Sequence, residues 1–270
     1  MMQLQKFTLA ILLVVLNITG AMAQATTSGE VSEIKAEKPN KGVFLIPFQT
    51  KMYISDINKE ISERTRMNHT QIAEKFRSAL DQNLYIALKE NWQPISLYQL
   101  PIEQARKEFA YIYSSIGYKY VEVPEEENTA ETKTQQTWKK LKQKIASTEE
   151  EHSKGEPEKY MQTKITNPNL LSVLFASYNT NYFIFINQLD IKRAVGETSQ
   201  GNAYANKREM VVHYTIFDKN GNIVKSGVAK SYFSKNVNDI NQIIKQNFPV
   251  IAKYIADKFL EAVTSAASGK

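Results

Sequence analysis

The run YFIFINQL, residues 182–189, carries a bulky apolar side chain at almost every position. Alternation along a strand sends Tyr182, Ile184 and Ile186 to one face and Phe183, Phe185 and Leu189 to the other. Both faces are apolar, which predicts a central strand with a packed layer on each side. Downstream, a loop at 194–207 leads to a second strand from Met210 to Phe217. There Met210, Val212, Tyr214 and Ile216 form a wholly apolar face, and His213 lies on the mixed one. Asn220-Gly221 separates this strand from a third extended run, Ile223 to Phe233. An Asn-Gly pair between two strands is a hairpin signal, and the expected two-residue turn needs positive φ at both positions.

Outward from these strands the apolar period changes to that of helices. Asn169 to Tyr178 reads as a short helix feeding the central strand. The C-terminal stretch Asp239 to Val263 carries Ile240, Ile243, Ile244, Ile251, Ile255 and Phe259 as a helical stripe. Pro249 removes a backbone donor there, so a kink or two helices meeting near Phe248 is expected. Near the other end, Val43 to Phe48 is a short buried strand closed by Pro47. From Asn68, Ile72, Phe76, Leu80, Leu84 and Leu88 stand four apart, widened by Ala73, Ala79 and Ala87; Asn68 is the N-cap, with Gln71 completing a capping box.

Pro94 and Pro101 bracket a short strand, Ile95 to Tyr98. A helix then starts at Pro101, with Ile102, Ala105, Phe109, Ile112 and Ile116 as its stripe and Gly117 as its cap, followed by a strand-like Tyr118 to Val123. Residues 125–160 are rich in Glu, Lys, Thr and Gln and read as a polar, partly helical insertion. Trp138, Leu141 and Ile145 are its apolar contacts and the candidate partner-contact residues, because tryptophan is enriched at energetic centres of interfaces. The fold expected is a single α/β domain over 42–263, a mixed sheet with helices on both faces, interrupted at 125–160 and ending in a tail at 264–270.

The N-terminus gives an address. Lys6 precedes an apolar run from Phe7 to Leu16, and Ala21-Met22-Ala23 before Gln24 is a small-x-small cleavage site, so residues 1–23 read as a signal peptide cut between Ala23 and Gln24. Residues 24–41 are a polar, flexible leader. No later segment has the roughly 18–20 apolar residues that a membrane helix needs. Of 34 basic and 28 acidic residues the signal peptide removes one, Lys6, leaving a surplus of five. A surplus that small, spread along the chain, suits a solvated surface rather than a nucleic-acid face. Cysteine is absent, which excludes disulfides, thiolate catalysis and a lipid-modified N-terminal cysteine. At this length a core forms without cross-links. A periplasmic or secreted protein of a bacterial envelope is the expectation.

Motifs for chemistry are missing. His69, His152 and His213 share no metal-binding spacing, and no Gly-x-Ser-x-Gly elbow, phosphate-cradling loop or His-Glu-x-x-His occurs. The acidic runs Glu125-Glu126-Glu127 and Glu149-Glu150-Glu151 read as solvated surface. No catalytic residue, metal or cofactor is expected.

FLIPF (44–48), a helix, NYFIFIN (181–187), VVHYTIFDKNGNIVKSG (211–227) and a final amphipathic helix together form a pattern of elements. It resembles the group of envelope proteins that takes in curli secretion channels, periplasmic activators of peptidoglycan synthases and the N-terminal domain of TolB. The resemblance implies an anticodon-binding-like α/β domain in which Asp218 and Asn220-Gly221 join two late strands. It spans about 42–263 outside the insertion. Members are commonly anchored through an N-terminal cysteine that this chain lacks. Neither 125–160 nor 194–207 has the alternating membrane strands, about 9–11 residues each, of a channel. The expected function is that of an exported, non-enzymatic periplasmic adaptor in envelope assembly or secretion, docking to a larger protein partner. Two alternatives stay open: an exported hydrolase of cell-wall or glycan material, and an accessory subunit of an outer-membrane export channel.

Overall fold

The computed structural model describes residues 41–122, 159–193 and 206–269. In chain order they form β1 (Gly42–Ile46), β2 (Tyr53–Ser55), α1 (Asn58–Thr65), α2 (His69–Leu88), β3 (Gln93–Ser96), α3 (Ile102–Ser114), β4 (Ile116–Glu122), β5 (Lys159–Ile165), α4 (Leu170–Tyr178), β6 (Tyr182–Arg193), β7 (Lys207–Asp218), β8 (Ile223–Ser234) and α5 (Ile240–Ala267). The main sheet runs β3-β1-β6-β7-β8, with β2 added alongside β6 beyond the end of β1. β1 is parallel to β3 and β6, whereas β6, β7 and β8 form an antiparallel meander. β6 is the central strand its apolar faces predict, and helices cover both sides.

One side packs α1, α2 and α5 on Val43, Leu45, Ile184, Ile186, Val212 and Ile216. The other packs α3 and α4 on Phe44, Ile46, Phe183, Phe185 and Phe217. α2 begins as expected: Asn68 accepts from the Gln71 amide while the Gln71 side chain accepts from the Asn68 amide. Burying each large apolar side chain stabilises the fold by about 1.5–3 kcal/mol, and the complete α2 stripe from Ile72 to Leu88 is buried.

Several expectations change. Leu189 lies on the same side as Ile184 and Ile186, because β6 holds an extra residue where its register against β7 shifts between Ile186 and Gln188. A β-bulge at Asn187 resets the alternation. At the hairpin, Gly221 alone has positive φ, at +88°, and Asn220 does not. Asp218 accepts from the amides of Asn220 and Asn222, and its carbonyl accepts from the Gly221 amide. The turn is thus a three-residue loop with its glycine in the left-handed position, rather than a two-residue one. α5 continues through Pro249 as one helix to Ala267, into the stretch expected as a tail. Pro249 and Lys245, whose carbonyl loses its helical partner, both face solvent, where water replaces the bond.

Ile102 is 76% exposed, and Ile116 and Gly117 belong to β4, so the buried stripe of α3 reduces to Ile112 with Phe109 beside it. β3 stops at Ser96 and gives way to a 3-10 turn, Leu97–Gln99. β5 begins at Lys159, inside the stretch read as insertion. It pairs with β4 in a separate antiparallel ribbon laid over the α3/α4 side of the main sheet.

Candidate functional site

The connection from β1 to β3 crosses one side of the sheet through α1 and α2; the return from β3 to β6 crosses the other through α3 and α4. The two crossovers part at the carboxyl end of β1, where open α/β sheets leave a crevice. The chain leaving β1 there is Pro47-Phe48-Gln49. Arg77, only 7% exposed on α2, donates through Nε to the Phe48 carbonyl at 2.6 Å, through Nη2 to the Tyr113 hydroxyl at 2.7 Å and through Nη1 to Glu74 at 3.2 Å. Its guanidinium lies over the Phe109 ring at 4.5 Å and the Tyr98 ring at 5.4 Å. Tyr113 in turn donates to the Pro47 carbonyl, Thr50 to Glu74, and the Gln49 amide to the Tyr118 hydroxyl. A fork with five fixed donors suits such a hub.

One turn along α2, Asp81 is 4% exposed and accepts a hydrogen bond from Ser96, whose hydroxyl also accepts from the Tyr98 amide. Its other oxygen, Oδ1, has no partner among the described residues. Burial pushes this carboxyl up to about 7, against the smaller lowering effects of Ser96 and Arg77. Burial likewise raises the phenols of Tyr98 and Tyr113. The arrangement spends its donors internally. It holds the end of β1, the turn after β3, α2 and α3 in one geometry and leaves Glu74 and Tyr98 at the rim, half-exposed.

A second polar layer lies between the main sheet and the β4–β5 ribbon. Asn187, fully buried in the bulge, donates to the Met161 carbonyl and to Thr215, and accepts from Thr163. The amides of Met161 and Thr163 donate to His213 Nδ1 and Thr215 Oγ1. Side chains of β6 and β7 therefore close the edge of β5 that turns away from β4. Among the described residues, His213 Nε2 has no nearer partner than Asp190 Oδ2 at 3.5 Å. Because Nδ1 accepts, Nε2 carries the proton and is not available as a metal ligand. Among the described residues no three His, Asp or Glu side chains gather as a metal site, and no helix is long and apolar enough to cross a membrane.

Asn220 and Gly221 sit in the β7–β8 turn, at the end of the sheet away from Arg193 and Lys207. Ala23, Gln24, Trp138, Leu141 and Ile145 lie outside the described residues. Sequence reasoning missed Arg77, Asp81 and Asn187. Each is a polar residue set beside large apolar ones in an otherwise buried stripe or strand, and that interruption is the signal that marks them.

No family model matches this chain, and no curated protein matches it. A solved structure from Caulobacter crescentus, described as that of a candidate lipoprotein, is similar over 37% of this chain and 80% of its own, with 21% sequence identity and a TM-score of 0.22.

Proposed function

We propose that this is an exported adaptor of the cell envelope, acting by docking to a larger protein partner rather than by catalysis. The observation that carries this reading is where the strands end. β5 runs alongside β7, with Met161 on His213 and Thr163 on Thr215, and Tyr160 packs on Val211. Lys159 and its partner Glu122 therefore lie toward the end of the sheet marked by Arg193 and Lys207. Residues 123–158 and 194–205 both depart from that one end. Segments that leave one end of a scaffold together can act on the same partner, and 123–158 include Trp138, Leu141 and Ile145. The signal-peptide pattern at 1–23 supports an envelope location.

Trp138→Ala tests this. Capture from envelope extract with the full chain as bait should lose its principal partner, at a cost of at least about 2 kcal/mol in affinity for an anchor tryptophan, while the thermal midpoint stays unchanged. Unaltered recovery of every partner counts against the arm, and turnover of purified peptidoglycan or polysaccharide by the wild type counts against an adaptor.

A further inference from the structure

We infer that His213 is a proton-operated latch holding the β4–β5 ribbon on the main sheet. The ribbon is tied down by a small set of bonds whose chemistry is unequal. Thr163 uses its amide on Thr215 and its hydroxyl on Asn187; Asn187 holds the Met161 carbonyl; Tyr160 and Gln162 reach Ser226. None of these acceptors takes up a proton between pH 5 and 8. One tie differs in kind: the Met161 amide donates to His213 Nδ1 at 2.8 Å and so depends on an imidazole lone pair. A proton on Nδ1 turns the acceptor into a donor facing another donor. A ring flip gives no rescue, because it presents a carbon to the amide and moves the nitrogens away from both Met161 and Asp190.

Charged groups on the neighbouring strands face the ring, but none of them relieves the opposed donors at Nδ1. Asp190 of β6 lies 3.5 Å from Nε2, a counter-ion in place for an imidazolium; its Oδ1 accepts from Gln188, and Lys192 comes within 4.0 Å of its Oδ2. β7 adds Glu209, paired at 3.6 Å with Lys230 of β8. β5 contributes the Tyr160 phenol, and β4 the uncharged Val121. His213 itself is 4% exposed. Acid therefore opens the ribbon at Met161 and leaves the apolar core on the other side of the sheet intact.

Where the open form alone takes the proton, the open population can grow by at most about tenfold for each pH unit of acidification. Amide exchange of the full chain, corrected for the intrinsic pH dependence, should show protection at Met161 falling by about tenfold or more between pH 7.5 and 5.0, while the Ile184 amide in β6 keeps its own. His213→Asn keeps an acceptor at the Nδ1 position without a titrating group, and its Met161 protection should be flat over the same range. Unchanged protection in the wild type, equal loss in His213→Asn, or parallel loss at Ile184 overturns the latch. If His213→Asn does not fold, the wild type still decides: the imidazole resonance of His213 and the amide resonance of Met161 must titrate with one midpoint, and two separate midpoints overturn it.

Discussion

Asp81 illustrates how one side chain acquires a property that its neighbours in sequence do not confer. In the unfolded chain its carboxyl ionises near 3.9; in the fold, burial raises it to about 7 despite the lowering effects of the Ser96 hydrogen bond and Arg77. The folded form thus holds the proton more tightly, and the stability this contributes is complete below about pH 4 and lost as pH rises through 7. At roughly 1.4 kcal/mol per pKa unit the difference across that window reaches roughly 4 kcal/mol. Asp81→Asn mimics the protonated acid. Denaturant unfolding from pH 4 to 8 should show the wild type falling relative to the variant, with Asp81→Asn the more stable at pH 8; parallel curves would show that Asp81 does not titrate differently on folding. The Asn68 cap was legible in sequence because its partner is three residues away. The partners of Asp81 and Arg77 come from β3, α3 and the end of β1, brought together only by the crossovers.

At the scale of elements, what was legible is periodicity, and what escaped is any local reset of it. α2, α4 and the meander β6–β7–β8 follow from apolar spacing alone. The bulge at Asn187 is different: strict alternation assigns Leu189 to the wrong face because one extra residue costs the sheet little when its side chain finds buried partners in Met161, Thr163 and Thr215. β5 escaped because KYMQTKI mixes polar and apolar residues; Gln162 and Thr163 are buried only because the main sheet supplies their hydrogen bonds. The β7–β8 turn shows the converse, a correct turn with a different geometry. With Gly221 at φ +88° and nothing within 4 Å of an added Cβ, Gly221→Ala meets backbone strain but no clash. The expected loss is about 1 kcal/mol, read as a lower urea midpoint with unchanged slope. Asn220→Ala, at a position without positive φ, should cost less, and a larger loss there than at Gly221 would favour the two-residue turn instead.

For the whole molecule, the pairing of Glu122 with Lys159 has a consequence for how scaffold and arm divide the work. The ribbon is closed by its own ladder and fixed to the sheet by Met161, Thr163 and Tyr160, all beyond the stretch that joins the two strands. Loop-closure entropy changes by only about 0.6 kcal/mol for each doubling of length. Replacing residues 123–158 with a four-residue Gly-Ser turn, close to three halvings, should therefore stabilise the protein by about 2 kcal/mol if those residues add nothing to the core. The thermal midpoint should stay level or rise by a few degrees. In the same preparation, capture of the partner proposed above should disappear. A shortened chain that unfolds would show that 123–158 belong to the scaffold, whereas one that folds and still binds would move recognition to 194–205 or to the Glu74–Tyr98 rim. Separating these outcomes needs both measurements on one variant, because stability reports on the scaffold and capture reports on the arm.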